Sequence, residues 1–241
     1  MRAMMVRSIP LALDTRDAWK SAGAVFARRT SDDDRIRNIS YDAPIINLGS
    51  SQCMIEGIWN EARVVEPLLT PQASRELLGR LMPLGSVYCG PGYYWLKGAG
   101  RGGANKQKLF VRNGQEFDDL YEQARWMEGD VQQHIDGQEY RVITVGEKVV
   151  QVTRRDGGHL ASDRVYTWVG VTDAPSHVVG IAKNAARMLS SDKTIIGWDV
   201  IIDERSSGAY ILEGNLCPGV NEATARRILD AVEGTPYNEE A

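Results

Sequence analysis

The chain has 241 residues, 43% apolar and 25% charged, with a formal net charge of −4. These are ordinary globular values for a chain that can bury a large core as one domain or two small ones, and the acidic balance gives no general basic footprint for nucleic acid. No apolar run reaches membrane-spanning length, and the start, MRAMMVRSIPLAL, carries only a short, Pro-broken apolar stretch, which argues against a signal peptide.

Three cysteines, Cys53, Cys89 and Cys217, are too scattered for a zinc knuckle and odd in number for a disulfide framework, which suggests a reducing cytoplasm. The three histidines, His134, His159 and His177, show no metalloprotease spacing, so histidine-centred catalysis is not expected. Neither a GxxxxGK[ST] loop nor a GxGxxG opening a helix is found.

In chain order, residues 1–66 offer a helix over 15–28, a charged turn at 31–35 and a short buried strand over 43–50. Thr70-Pro71 starts a helix, with Thr as N-cap, Pro at the first helical position and Leu77, Leu78 and Leu81 as its buried stripe. A boundary is expected near 85. Beyond it come a strand over 93–97, the glycine-rich loop KGAGRGGANKQK, a returning strand over 109–112, and a helix over 116–126 burying Phe117, Leu120, Tyr121 and Ala124. A strand over 130–135 precedes a hairpin, 138–145 and 148–155, around Gly146-Glu147, a pair suited to a two-residue II′ turn. A helix over 176–190, a hairpin over 195–216 and a helix over 221–232 complete the chain. Hairpins and helices without strict βαβ alternation indicate an α+β fold, and no internal repeat is present.

The last hairpin, IIGWDVIIDERSSGAYILEGNLCPG, carries the densest chemistry. Strand alternation turns Glu213 and Asn215 to one face and Leu212, Gly214 and Leu216 to the other. If the turn centres on Ser206, Asp199 falls opposite Glu213, about 5 Å apart at Cβ, where two carboxylates repel unless a cation lies between them. Two carboxylates and an amide oxygen are hard ligands suited to Mg²⁺ or Mn²⁺, the former usually shared with substrate phosphates. An ordinary amphipathic hairpin with a wet polar face accounts for the same pattern equally well.

The glycine loop combines Gly98, Gly100, Gly102 and Gly103, which let backbone N–H groups approach an anion, with Lys97, Arg101, Lys106 and Lys108. A triphosphate suits it; so does the role of a basic surface hairpin tip. In the Gly146-Glu147 hairpin, simple register pairs Glu139 with Arg154 and puts Arg141 on the same face, opposite Tyr140, Val142, Val149 and Gln151. That acid flanked by arginines could hold a sugar hydroxyl and an anionic substrate, or be a solvated cross-strand ion pair.

Taken in order, WLKGAGRGGANK, VQQHIDGQEYRVITVG, VVQVTRR and GWDVII with ILEGNLCPG resemble the ATP-grasp superfamily, particularly its RimK-type and glutathione-synthetase-like carboxylate-amine ligases, over about residues 67–232. The resemblance implies an ATP-grasp fold of two α+β subdomains clamping ATP: a reduced N-terminal α/β region over 1–84, a glycine-loop subdomain over 85–135 and a metal-binding subdomain over 136–241. It implies that Lys97, Gly100, Gly102 and Gly103 hold the phosphates, that Gln133, His134 and Ile135 contact adenine and that Glu139 binds the ribose. Asp199, Glu213 and Asn215 would hold Mg²⁺, and Arg141 and Arg154 would steady the acyl phosphate or carboxylate. The implied activity is ATP- and Mg²⁺-dependent joining of a small carboxylate to an amine, such as an amino acid or peptide. A kinase-like phosphotransferase or a non-catalytic nucleotide-binding module are the alternatives. Ligases of this type are often homo-oligomers. The sequence departs from the family in two places: Pro71 stands where an earlier phosphate-binding lysine is usual, with Arg75 one turn later as its expected stand-in, and the N-terminal region is short.

Overall fold

The structure, a computed structural model, describes residues 3–6, 13–26, 43–48, 58–85, 87–98, 106–157, 164–216 and 218–234. Strands β1 (Ala3–Val6), β2 (Ala24–Phe26) and β3 (Ile45–Asn47) form a parallel sheet in the order β2-β1-β3, with helix α1 (Leu13–Ser21) between the first two. The helix expected over 15–28 stops at Ser21 because Gly23 takes a φ of +98° and turns the chain into β2. After the short helix α2 (Ala62–Val65) comes α3 (Pro71–Leu78), whose start is the one expected: the Thr70 side chain accepts a hydrogen bond from the Ala73 amide.

Two antiparallel sheets follow. The smaller has the order β5-β4-β6, from β4 (Gly92–Lys97), β5 (Lys106–Val111) and β6 (Asp130–Gln133), with α4 (Gly114–Trp126) packed on it. Its core is Tyr94, Leu96, Val111, Phe117, Leu120, Ala124 and Val131. The larger has the order β11-β10-β7-β8-β9, from β7 (Gly137–Val145), β8 (Lys148–Gly157), β9 (Arg164–Val169), β10 (Ile195–Asp203) and β11 (Ala209–Asn215). Strand β9 and the parallel sheet as such go beyond the elements expected from the sequence.

Each face of the larger sheet has its own cover. On one side Val142, Val152, Trp198, Val200 and Ile211 meet Val178, Ala182 and Ala185 of helix α5 (Ser176–Arg187) and Leu68 and Leu78 from the segment around α3. On the other, Ile143, Val150 and Ile195 meet Ala225, Ile228 and Leu229 of helix α6 (Glu222–Val232), together with Met5, Trp19 and Ile46 of the N-terminal sheet. Asn60 fastens that sheet to the larger one: its Nδ2 donates to Ile195 O at 3.0 Å and its Oδ1 accepts from Ile195 N at 2.6 Å. The apolar stripe covers only part of this second face. Further along the same strands the outward positions turn polar, and there the candidate site lies. No helix among the described residues is long and apolar enough to cross a membrane.

Candidate nucleotide and metal site

Asp199 lies opposite Glu213 as expected, although the pairs nearer the turn, Val200 with Ile211 and Ile201 with Tyr210, are one residue off a turn centred on Ser206 and a bulge restores the expected pairing. Asp199 is also opposite Arg141 on β7, Arg141 is opposite Thr153 on β8, and Thr153 is opposite Trp168 on β9, so Glu213, Asp199, Arg141, Thr153 and Trp168 form one row across five strands. Asn215 is two residues from Glu213, opposite Gly197, and its Nδ2 lies 3.4 Å from Asp199 Oδ2. All three expected metal ligands therefore converge. Glycines permit close packing on both sides: a Cβ at Gly214 would lie 2.8 Å from the Trp198 ring behind the pair, and one at Gly197, on the Asp199 face, 2.7 Å from Pro218.

Arg141 grips Asp199 bidentately, Nε to Oδ1 at 2.8 Å and Nη2 to Oδ2 at 2.9 Å. Burial opposes the guanidinium charge, but these bonds and the Asp199 charge outweigh it and move the Arg141 pKa upward. For Asp199 burial prevails over Arg141 and, with Glu213 adding its repulsion, leaves the carboxyl above the ordinary range. Glu213 goes the other way: burial pushes it up, but the ammonium groups of Lys106 and Lys97 hold it down at about 2. The hard oxygen set of Asp199, Glu213 and Asn215 would suit a divalent cation, with both Asp199 oxygens also held by Arg141.

The smaller sheet supplies the cations. A register shift between Asp199 and Val200 leaves Leu212 unpaired with β10, and its carbonyl accepts from Lys97 Nζ at 2.9 Å. Lys97 is buried; burial lowers its pKa to about 8, with Glu213 pulling in the opposite direction. Lys106, opposite Lys97 at the start of β5, bridges to Glu213 Oε2 at 2.5 Å. The two ends of the glycine loop thus rest against β11. Gly100, Gly102 and Gly103 lie outside the described residues.

Of the expected adenine contacts, the Gln133 amide donates to Leu84 O and the His134 amide to Tyr93 O, so a base held by this segment would use its other groups or Ile135. The His134 ring accepts from Trp95 Nε1 at 3.0 Å and its Nε2 lies 2.7 Å from Lys108 Nζ.

The arginine assignment on β8 is corrected. A register shift between Ile143 and Thr144 moves every later pairing by one, so Glu139 faces Arg155, at 2.6 Å, and Arg154 pairs instead with Tyr140 and binds Asp156. Arg154 is turned to the opposite face from Arg141, while Gln151 crosses to the site face and donates to Thr153 Oγ1 at 2.9 Å. The Arg154-Arg155 doublet offered both faces; a bulge decides between them, and no residue in the sequence announces it. Arg75, the expected stand-in for a phosphate lysine, is engaged elsewhere. It holds Asp130 bidentately, with Nη2 to Oδ2 at 2.8 Å, and donates from Nη1 to Pro83 O at 2.6 Å, fastening α3 to β6.

Two antiparallel sheets thus meet along a seam of lysines and carboxylates. The chain has the ATP-grasp fold: it superposes on the D-alanine–D-alanine ligase of Bacillus anthracis complexed with ATP at a TM-score of 0.63 and 12% identity, covering 97% of this chain and 96% of that one. It also matches the ATP-grasp ligase PsnB complexed with minimal precursor, at 0.62 and 13% over 96% and 98% of the two chains. N5-carboxyaminoimidazole synthetase from Staphylococcus aureus complexed with ADP gives 0.67 and 11% over 98% and 78%. No family model matches the chain, and no curated protein matches it by sequence.

Proposed function

We propose that the chain is an ATP- and Mg²⁺-dependent carboxylate-amine ligase working through an acyl phosphate. The observation that carries this reading is the convergence of Asp199, Glu213 and Asn215 with Lys97 and Lys106 where the two sheets meet. Its support from outside the chain is the fold, shared with ligases that bind ATP or ADP.

Asp199, Glu213 and Asn215 would hold Mg²⁺, which when bound screens the triphosphate charge and orients its γ-phosphoryl group. Lys97 and Lys106 steady the phosphates from the other sheet, and Glu139 positions the ribose. Arg141 and Arg155 orient the acid so that a carboxylate oxygen attacks the γ-phosphorus; the bond to the β–γ bridging oxygen breaks and ADP leaves with the electron pair. An amine nitrogen then attacks the acyl carbon, inorganic phosphate departs, and the nitrogen loses its extra proton to solvent. The chain's contribution is positioning and cancellation of charge, in keeping with a site free of any required protein nucleophile.

A nucleotide-binding module without turnover is the second reading, favoured by the commitment of Arg75 to Asp130. Phosphate release with ATP, Mg²⁺ and pooled acids and amines separates the two: the ligase reading expects release that needs both an acid and an amine. Asp199→Ala and Glu213→Ala should each lower turnover by about 100-fold or more. Variants that work like the parent would refute the metal assignment.

A further inference from the structure

The polar row does not end at Arg141. It continues over Thr153 to Trp168 on β9, and one pair further along the same face Glu139 is opposite Arg155, which is opposite Tyr166. Trp168 is 52% and Tyr166 47% exposed, large rings left in solvent on the edge strand of the sheet that carries the acidic pair. Exposed aromatic area of this kind beside charged groups is a mark of a binding surface.

Both rings are flanked by cations. The Arg155 guanidinium lies 5.9 Å from the Tyr166 ring centre, and that of Arg227, on α6, lies 5.1 Å from the Trp168 ring centre. Arg155 uses Nη1 for Glu139, one of five donors that a guanidinium offers. Adjacent strands are about 4.8 Å apart, so a carboxylate oriented by Arg155 and Arg141 would have its side group over β9, the next strand outward. A small or strongly hydrated side group would leave the rings wet; a flat apolar one would cover them and stack on them.

Resting on the ligase reading above, we propose that Tyr166 and Trp168 form the side-group shelf of the acid substrate, and that this substrate is a carboxylate bearing an aromatic or similarly flat apolar group. Trp168 is then a specificity residue and Arg155 the group that orients the carboxylate.

The test is calorimetric titration of N-acetyl-L-phenylalanine and N-acetyl-L-alanine into the full chain saturated with Mg²⁺ and a non-hydrolysable ATP analogue. The aromatic acid should bind at least about tenfold more tightly than the alanine derivative. Trp168→Ala should bring the two acids to within about twofold, Trp168→Phe should keep most of the preference, and both variants should bind the nucleotide like the parent. Equal binding of the two acids by the nucleotide-loaded parent overturns the shelf while leaving the ligase reading intact, as does an undiminished preference in Trp168→Ala. Preference for phenylalaninamide, an aromatic amine without a carboxylate, over the aromatic acid overturns it in favour of an amine site. A parent that binds no Mg²⁺-nucleotide in the separate nucleotide titration overturns the ligase reading and this proposal with it.

Discussion

At the scale of single residues, what decides a role is the face a side chain takes, and a face is readable only where the register is. Asp199 and Glu213 come out opposite as expected, but through an offset the sequence does not announce: the pairs nearer the turn are shifted by one from a turn centred on Ser206, and the bulge at Leu212 shifts them back. Arg154 and Arg155 do not come out as expected, because one extra residue near Ile143 and Thr144 inverts every face that follows. The distinction is measurable. Arg155→Ala should reduce kcat/KM by about 100-fold, since it removes a charge that touches Glu139 within the site, whereas Arg154→Ala, half-exposed and paired with Asp156, should stay within about threefold of the parent. The reverse order would restore the unbulged register. Lys97 makes a second prediction. Burial lowers its pKa from 10.5 to about 8 in the folded chain, so between those values the unfolded chain binds more protons and stability rises with pH. Chemical denaturation should show the parent gaining about 2 kcal/mol relative to Lys97→Met as pH climbs through that window. A pH-independent difference would mean that the ammonium is not desolvated.

At the scale of elements, local signals were enough where the chain talks to its neighbours in sequence. Thr70 and Asn221 each cap a helix by accepting from the amide three residues on, and both helix starts were readable as such. The parallel sheet was not, because β2 and β3 have three residues each and gain their stability from distant partners rather than from any pattern of their own. Strand β9 carried a usable signal, the aromatic and β-branched run RVYTWV, which alternation alone could have marked. Within the motif ILEGNLCPG the two glycines divide sharply by packing. A methyl on Gly214 would press on Trp198, which is fully buried and held by a 3.0 Å bond from its Nε1 to Thr144 Oγ1, and would also meet Leu68 at 3.3 Å. A methyl on Gly219 would meet nothing within 4 Å. Gly214→Ala should therefore destabilise by about 1–3 kcal/mol and Gly219→Ala by no more than about 0.5 kcal/mol in urea unfolding. Equal effects would show that the motif is kept for some reason other than the seating of β11 on the core.

For the whole molecule, the question is what holds the glycine-loop sheet against β11. Two contacts do so among the described residues, Lys97 to the Leu212 carbonyl and Lys106 to Glu213, joining positions more than a hundred residues apart. The Lys106 pair is about one-third exposed on each side, which limits its worth to about 1 kcal/mol. So weak a bond is exchangeable. On the ligase reading proposed above, a divalent cation on Glu213 would compete with the Lys106 ammonium for that carboxylate, and a displaced ammonium would be available to a phosphate of the nucleotide. On that reading metal and nucleotide would compete with, and then employ, the same lysine. Lys106→Ala separates the two halves of this exchange: by removing a competing cation it should strengthen the binding of Mg²⁺ alone by about three- to tenfold, and by removing a phosphate partner it should weaken binding of the Mg²⁺-nucleotide complex by a similar factor. Calorimetric titrations with Mg²⁺ and with a Mg²⁺-loaded non-hydrolysable ATP analogue measure each in turn. If the substitution weakens both, Lys106 builds the site rather than competing with the metal for it.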